Sequence, residues 1–274
     1  MTLPVEDDFN DVLSKAQKGC GISTETLATR TGQPENLIRS ARRGDFAEGV
    51  VEAMGKALGL NVSALLALGR GEWRPADLPQ MQGFAMASSP FHSWQVNAFA
   101  VWDLASKRAI AFDTGTVAAP LIELLEGEGL ELDTLILTHA HWDHCEGAPD
   151  LLRRWPEARA FLGAKESGSV AVPTESLSEG FELELGKLTV RGFDTPGHTD
   201  GGMSFTVQGL ERSLAVVGDA LFAGSMGGAN TSYEAALGSL RRILELPGET
   251  VLAPGHGPLT TVAEERKMNC FASA

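Results

Sequence analysis

The stretch Thr138-His139-Ala140-His141-Trp142-Asp143-His144 holds three of the chain's six histidines and a carboxylate within its last six residues. It directly follows Thr134-Leu135-Ile136-Leu137, an apolar run whose branched side chains predict a buried strand. Nitrogen and oxygen donors this dense at a strand end suit metal binding. A strand continuing through the motif would alternate His139, His141 and Asp143 onto one face. A tight loop instead lets His139 and His141 point to one side while Asp143 and His144 turn to another, serving two ions side by side.

Three downstream donors share that setting. They are His198 in Thr195-Pro196-Gly197-His198-Thr199, Asp219 in Val216-Val217-Gly218-Asp219, and His256 in Pro254-Gly255-His256-Gly257-Pro258. Each follows an apolar run beside glycine or proline, as expected where backbone turns sharply around a ligand. Only His92 is left over, and it reads as an ordinary loop histidine. Imidazole and carboxylate without thiolate favour zinc, iron or manganese over a structural zinc-thiolate knot.

The order HxHxDH, the histidine of TPGHT, the aspartate of GD and the histidine of PGHG resembles the metallo-β-lactamase superfamily. The resemblance covers roughly residues 80–262 and is greatest to the glyoxalase II-type thioesterase branch. It implies a four-layer αβ/βα sandwich with two divalent metal ions, zinc before iron or manganese. One metal would take His139, His141 and His198, the other Asp143, His144 and His256, with Asp219 bridging. Asp113 in Phe112-Asp113-Thr114-Gly115 resembles the family's early Asp-x-Gly element, which orients the ligands from behind.

The chemistry follows from the donors. No Gly-x-Ser-x-Gly elbow appears, and Cys145 has no free base because its neighbouring histidines are claimed by metal. Water is therefore the expected nucleophile. Two cations about 3.5 Å apart can hold a bridging hydroxide at neutral pH and polarise a carbonyl. Asp143 can relay the proton as the tetrahedral intermediate collapses. The expected reaction is hydrolysis of a thioester, ester or lactone in a small-molecule acyl substrate. Gly218-Asp219-Ala220-Leu221-Phe222-Ala223-Gly224-Ser225 resembles the GDTLFxGS element shared by glyoxalase II-type enzymes and persulfide dioxygenases. The second resemblance implies an alternative, a mononuclear iron held by His139, His198 and Asp219.

The chain departs from those relatives in three places. Gly227-Gly228-Ala229-Asn230 stands where they have Gly-Arg-x-Asp. Glu146 occupies the first of two positions that are normally glycine. Only 18 residues follow His256, which leaves no room for the C-terminal glutathione-binding helices of full-length glyoxalase II.

The elements that must position these donors divide the chain in two. Residues 1–72 read as five short helices. The first spans Val5 to Lys18, Ser23 caps the second, Pro34 opens the third, Phe46 to Leu58 forms the fourth, and Asn61 or Ser63 starts the fifth. Leu27-Ala28-x-x-Thr31-Gly32, Ile38 and Ala57-Leu58-Gly59-Leu60 resemble the helix-turn-helix domain of Xre-like regulators. That resemblance would place Arg39, Arg42 and Arg43 towards DNA. A DNA-binding regulator with a sensory metal domain is thus a further alternative.

Residues 73–274 form the hydrolase part. A hairpin at Val96–Trp102 and Arg108–Phe112 is followed by a helix over Val117–Leu130 and another stopped by Pro156. Strands are expected at 160–162, 181–185, 188–193, 203–207 and 214–217. A capping box at Thr231 and Glu234 opens the next helix, and 250–252 is the final strand.

The 274 residues carry a net charge of −14. Residues 1–72 hold 8 Lys+Arg against 10 Asp+Glu and the remainder 14 against 26, which opposes binding to phosphate backbones. The first part is therefore expected to act in packing or homodimerisation rather than on DNA. The acidic N-terminus lacks a signal-peptide pattern, no run approaches membrane-spanning length, and three scattered cysteines fit reduced thiols. A cytoplasmic location with no membrane partner is the expectation.

Overall fold

The computed structural model describes residues 3–91 and 94–272; the expectation for His92 lies outside them. Five helices come first: α1 (Phe9–Gly19), α2 (Thr24–Thr31), α3 (Glu35–Ala41), α4 (Glu48–Ala57) and α5 (Val62–Gly69). Their caps are local. Ser23 Oγ accepts from Thr26 N, and Asn61 Oδ1 accepts from Ala64 N, so Asn61 rather than Ser63 starts α5. The first helix begins later than its apolar spacing predicts. Asp8 caps it through a reciprocal box with Asp11, which leaves the preceding residues outside the helix.

Two six-stranded mixed sheets follow. The first runs β1 (Phe84–Phe91), β2 (Trp94–Trp102), β3 (Arg108–Phe112), β4 (Glu131–Ile136), β5 (Arg159–Gly163) and β6 (Glu175–Leu177) in sequential order. The pairing of β2 with β3 sets Trp102 opposite Ala109, and β3 to β6 are parallel. Between these strands lie α6 (Ala119–Gly127), α7 (Trp142–Cys145) and α8 (Ala148–Arg154). The second sheet contains β7 (Glu182–Leu185), β8 (Leu188–Asp194), β9 (Met203–Gln208), β10 (Leu214–Gly218), β11 (Val251–Pro254) and β12 (Thr260–Thr261), and only β10 and β11 pair in parallel. Helix α9 (Tyr233–Leu244) bridges β10 to β11, and α10 (Val262–Met268) follows β12.

Ser232, not Thr231, caps α9, accepting from Ala235 N. The Thr231 hydroxyl instead donates to the Gly197 carbonyl near His198.

Strand alternation makes the layers. Phe99, Val101, Ile110 and Phe112 face Phe205, Val207, Val216 and Val251 between the sheets. Ala98, Ala100, Ala109 and Ala111 face the other way, where their small side chains let α6 and α8 pack through Leu121, Leu125 and Leu151. The outer face of the second sheet is covered by α9 and α10. Their Leu240, Ile243 and Val262 share one continuous apolar cluster with Leu13, Leu27, Ile38, Met54 and Leu65 of the N-terminal helices. The fold is thus an α/β sandwich of two sheets between helices, and among the described residues no helix is long and apolar enough to cross a membrane.

This shared core predicts that the two parts unfold together. All five tryptophans lie at or beyond Trp73, so their fluorescence reports the sandwich alone. Leu13→Ala removes a fully buried side chain from α1 and should cost about 2–5 kcal/mol. In urea the far-UV circular dichroism and tryptophan fluorescence midpoints should fall together. A fluorescence midpoint left at its original position would show that the helices unfold on their own.

Candidate metal centre

The expected donors converge at one rim, at the ends of β4, β8, β10 and β11. His139 and His141 lie in the loop after β4; Asp143 and His144 lie on the single turn of α7. A loop that breaks directly into a helix removes the strand alternation that would have faced all these side chains one way. Two groups result. His139, His141, His198 and Asp219 form one, and Asp143, His144 and His256 the other, with the ligand atoms of each group within 4.8 Å of one another.

The imidazoles are oriented by acceptors behind them. His144 Nδ1 is 2.9 Å from Asp113 Oδ2, His198 Nδ1 is 2.8 Å from the Gly228 carbonyl, and His256 Nδ1 is 3.0 Å from the Gln95 carbonyl. A carbonyl or carboxylate only accepts, so each Nδ1 carries the proton and each Nε2 lone pair faces inward. His139 follows the same logic at one remove. The Thr138 hydroxyl donates to Asp113 Oδ2 at 2.8 Å and therefore accepts from His139 Nδ1 at 3.0 Å. On the inner side His141 Nδ1 lies 3.0 Å from His139 Nε2 and 2.9 Å from His198 Nε2.

Asp219 joins the groups. Its Oδ1 is 3.3 Å from His144 Nε2, while its Oδ2 is 3.3 Å from His198 Nε2 and 3.7 Å from His256 Nε2. Despite that proximity, the fully buried His144 Nε2 and Asp219 Oδ1 have no hydrogen-bond partner among the described residues. Buried polar atoms without partners are costly. Two facing orphans among nitrogen and oxygen donors fit metal ligation, and the two groups fit a dinuclear site.

The electrostatics agree. Burial pushes the His139 imidazole well below its ordinary value, which keeps it a neutral ligand. Burial alone would raise Asp219, but the imidazoles of His144 and His256 hold it well below the usual carboxylate range. Burial also raises the Cys145 thiol to about 12. Its Sγ donates to the His141 carbonyl at 3.2 Å, so it is packed rather than poised for attack.

The backbone comes close enough to exclude side chains. A Cβ on Gly255 would sit 2.3 Å from Asp219 Oδ1 and 2.5 Å from His144 Cε1. Glu146, by contrast, takes helical φ −61° and is exposed, so its position needs no glycine.

A family model described as the metallo-β-lactamase superfamily matches residues 93–256. The chain belongs to this superfamily. Among solved members, the BLEG-1 B3 metallo-β-lactamase is 33% identical with a TM-score of 0.61, covering 70% of this chain and all of that one. A hydroxyacylglutathione hydrolase of Prochlorococcus marinus is 30% identical over 165 residues, or 58% of this chain and 64% of its own length. The hydroxyacylglutathione hydrolase GloC of Haemophilus influenzae is 28% identical over 207 residues, covering 68% of this chain and 96% of its own. These relatives support a metal-dependent hydrolase.

Several residues that hold this metallo-β-lactamase rim together carry no motif. Glu166, buried just after β5, accepts from Ala140 N at 2.5 Å and Gly201 N at 3.1 Å, tying the His139–His141 loop to the one beyond His198. Asn97 Nδ2 donates to the Pro254 and Gly257 carbonyls, bracketing His256. Glu265 of α10 accepts from Gly224 N, Asn269 Nδ2 and Thr260 Oγ1, clamping the loop after Asp219.

Two outcomes follow from these clamps. Glu166→Ala should weaken metal binding about 10–100-fold while the chain stays folded, as read by competition with a chromophoric chelator; unchanged affinity would show the tether to be dispensable. Burial pushes the Glu265 carboxyl from 4.5 up to about 7. The folded-state value lies above the unfolded one, so the contribution is fully present below pH 4.5 and is lost as pH rises through 7. That loss amounts to about 3 kcal/mol. Between about pH 5 and 8 the unfolding free energy of wild type should fall relative to that of Glu265→Gln, whose amide does not titrate, and parallel profiles would refute the assignment.

Proposed function

We propose that this chain is a dinuclear metal-dependent hydrolase of a thioester, ester or lactone. The observation carrying that reading is Asp219, whose two oxygens face different histidines of two adjacent donor groups. His139, His141 and His198 would hold one ion, Asp143, His144 and His256 the other, and Asp219 both. When bound, two such cations lower the pKa of water into the neutral range and polarise a carbonyl oxygen. The donor set favours zinc, with iron or manganese as the other candidates.

The chain's own groups do the rest. Asp143 Oδ2 lies 3.3 Å from His256 Nε2 and 3.6 Å from His144 Nε2, so it is placed at the reacting centre to receive a proton from water and return it to the leaving group. Aromatic rings line the approach. Phe91 and Phe222 each stand 5.6 Å from the His256 ring, and Trp142, half exposed, lies 5.4 Å from Phe91. This apolar border suits an acyl group held beside a charged centre. The similarity to hydroxyacylglutathione hydrolases makes a hydroxyacyl thioester the first substrate to try.

The N-terminal helices we read as a packing module. In α3 Arg39 pairs with Glu35, and Ile38 and Ala41 join the shared core; just beyond it Arg42 Nε bonds Ser14 Oγ, which engages two of the three arginines expected to face DNA.

Elemental analysis of purified chain, followed by a panel of thioesters, lactones and persulfides, tests the proposal. Two metals per chain with thioester or lactone hydrolysis are expected, and Asp219→Ala should lose at least one metal and all turnover. Full metal content and full turnover in Asp219→Ala would overturn the bridging role. One iron per chain with sulfite production would identify a persulfide dioxygenase held by His139, His198 and Asp219.

A further inference from the structure

The segment before α1 lies against the metal rim. A Cβ on Gly257, next to His256, would meet Glu6 N at 3.2 Å, the Pro4 carbonyl at 3.5 Å and Glu6 Cβ at 3.6 Å. Asp7 anchors the segment. Its Oδ2 accepts from Ser225 Oγ at 2.5 Å, in the loop after Asp219, and from Lys15 Nζ at 2.5 Å. Lys15 also donates to the Met226 carbonyl at 2.9 Å and lies 5.1 Å from the Phe222 ring. The chain start and α1 are thereby fastened to the same loop that carries Asp219 and Phe222.

Glu6 stands out within this contact. It is half-buried, and among the described residues its carboxylate has no hydrogen bond or ion pair. Burial raises its carboxyl to about 7, and the charges of His256 and Asp219 are among those that act on it. Lys15, whose charge also acts on it, makes its own bonds to Asp7 and the Met226 carbonyl. An unpaired carboxylate on the segment that packs against Gly257, the neighbour of His256, is a wall with a sign.

We propose that the N-terminal segment forms one wall of the substrate site and that Glu6 selects charge there, favouring acyl substrates with a cation near the scissile bond over those with a carboxylate. This rests on the hydrolase reading above. It assigns to the helical part a role in specificity, through a residue that neither ligates metal nor touches the reacting atoms.

The test uses the metal-loaded full chain at pH 8.5, above the value of about 7 to which burial raises the Glu6 carboxyl. Three acetyl thioesters differing only in the thiol are compared: thiocholine, mercaptoethanol and 3-mercaptopropionate. S-betainyl-mercaptoethanol, with a permanent trimethylammonium group, and S-succinyl-mercaptoethanol repeat the comparison on the acyl side. In at least one series kcat/KM should fall from cation to anion. Glu6→Gln should lower the cation-to-anion ratio on the order of tenfold, and Glu6→Lys should invert the order. Unchanged ratios in both variants, with melting temperatures near wild type, would overturn the proposal while leaving hydrolysis of the neutral thioester intact.

Calorimetric titration with thiocholine and with 3-mercaptopropionate gives a readout without turnover. Affinities that depend on Glu6 in a chain that cleaves none of the thioesters would sink the hydrolase reading and keep the charge selection. Affinities indifferent to Glu6 in such a chain would sink both.

Discussion

The constraint on which the structure depends is the crowding of five imidazoles and two carboxylates into a space a few ångströms across. Such a group cannot assemble from flexible side chains at tolerable cost, because each imidazole must lose its water and be held in one orientation. The solution is a ring of acceptors one step further out. Asp113, Thr138 and the carbonyls of Gly228 and Gln95 fix where the Nδ1 protons lie and so where the Nε2 lone pairs point. Asp113 does this from left-handed backbone at φ 57°, a conformation that costs about 1–3 kcal/mol for a side chain other than glycine. The strain is consistent with a carboxylate aimed at Thr138 and His144 at once.

Backbone precision comes from the sheets, and the loops inherit it. Thr138 N is bonded to Asp113 Oδ1, which ties the end of β4 to the end of β3, and Asn97 N to the Gly255 carbonyl, which ties β2 to the end of β11 across the two sheets. Glu166 and Glu265 extend the same device to segments with no strand to align them. Glu166 accepts from the backbone N–H groups of Ala140 and Gly201, and Glu265 from that of Gly224, all in loops that flank ligands. The rim is therefore a lattice of main-chain contacts with donors inserted into it.

Much of the centre was legible because its chemistry is concentrated. Histidines crowded just after an apolar run, as at His139, His141 and His144, or set beside glycine, as at His198 and His256, announce a turn, and all five lie just beyond strand ends. Glu166 could not be found this way. Its partners, Ala140 and Gly201, offer only backbone amides, and any residue type would present the same N–H. The start of α1 misled for a related reason: Val5 and Phe9 have helical spacing, but the Asp8–Asp11 box satisfies the first amides and releases the earlier residues to reach Gly257. Strand β12 is two residues long, too short for a periodic signal, and so β12 and α10, on which the Glu265 clamp depends, escaped notice.

The continuous apolar cluster joining the N-terminal helices to α9 and α10 has a practical consequence for handling the molecule. A fragment beginning at Trp73 would lay bare the face on which Leu13 and Leu65 now rest, a sticky plateau on the outside of the catalytic half. Such a fragment would seek a substitute cover, in a neighbouring copy or a detergent micelle. Dissecting this protein into a sensor and an enzyme is therefore the wrong cut, and its two parts are best expressed, stored and assayed in one piece.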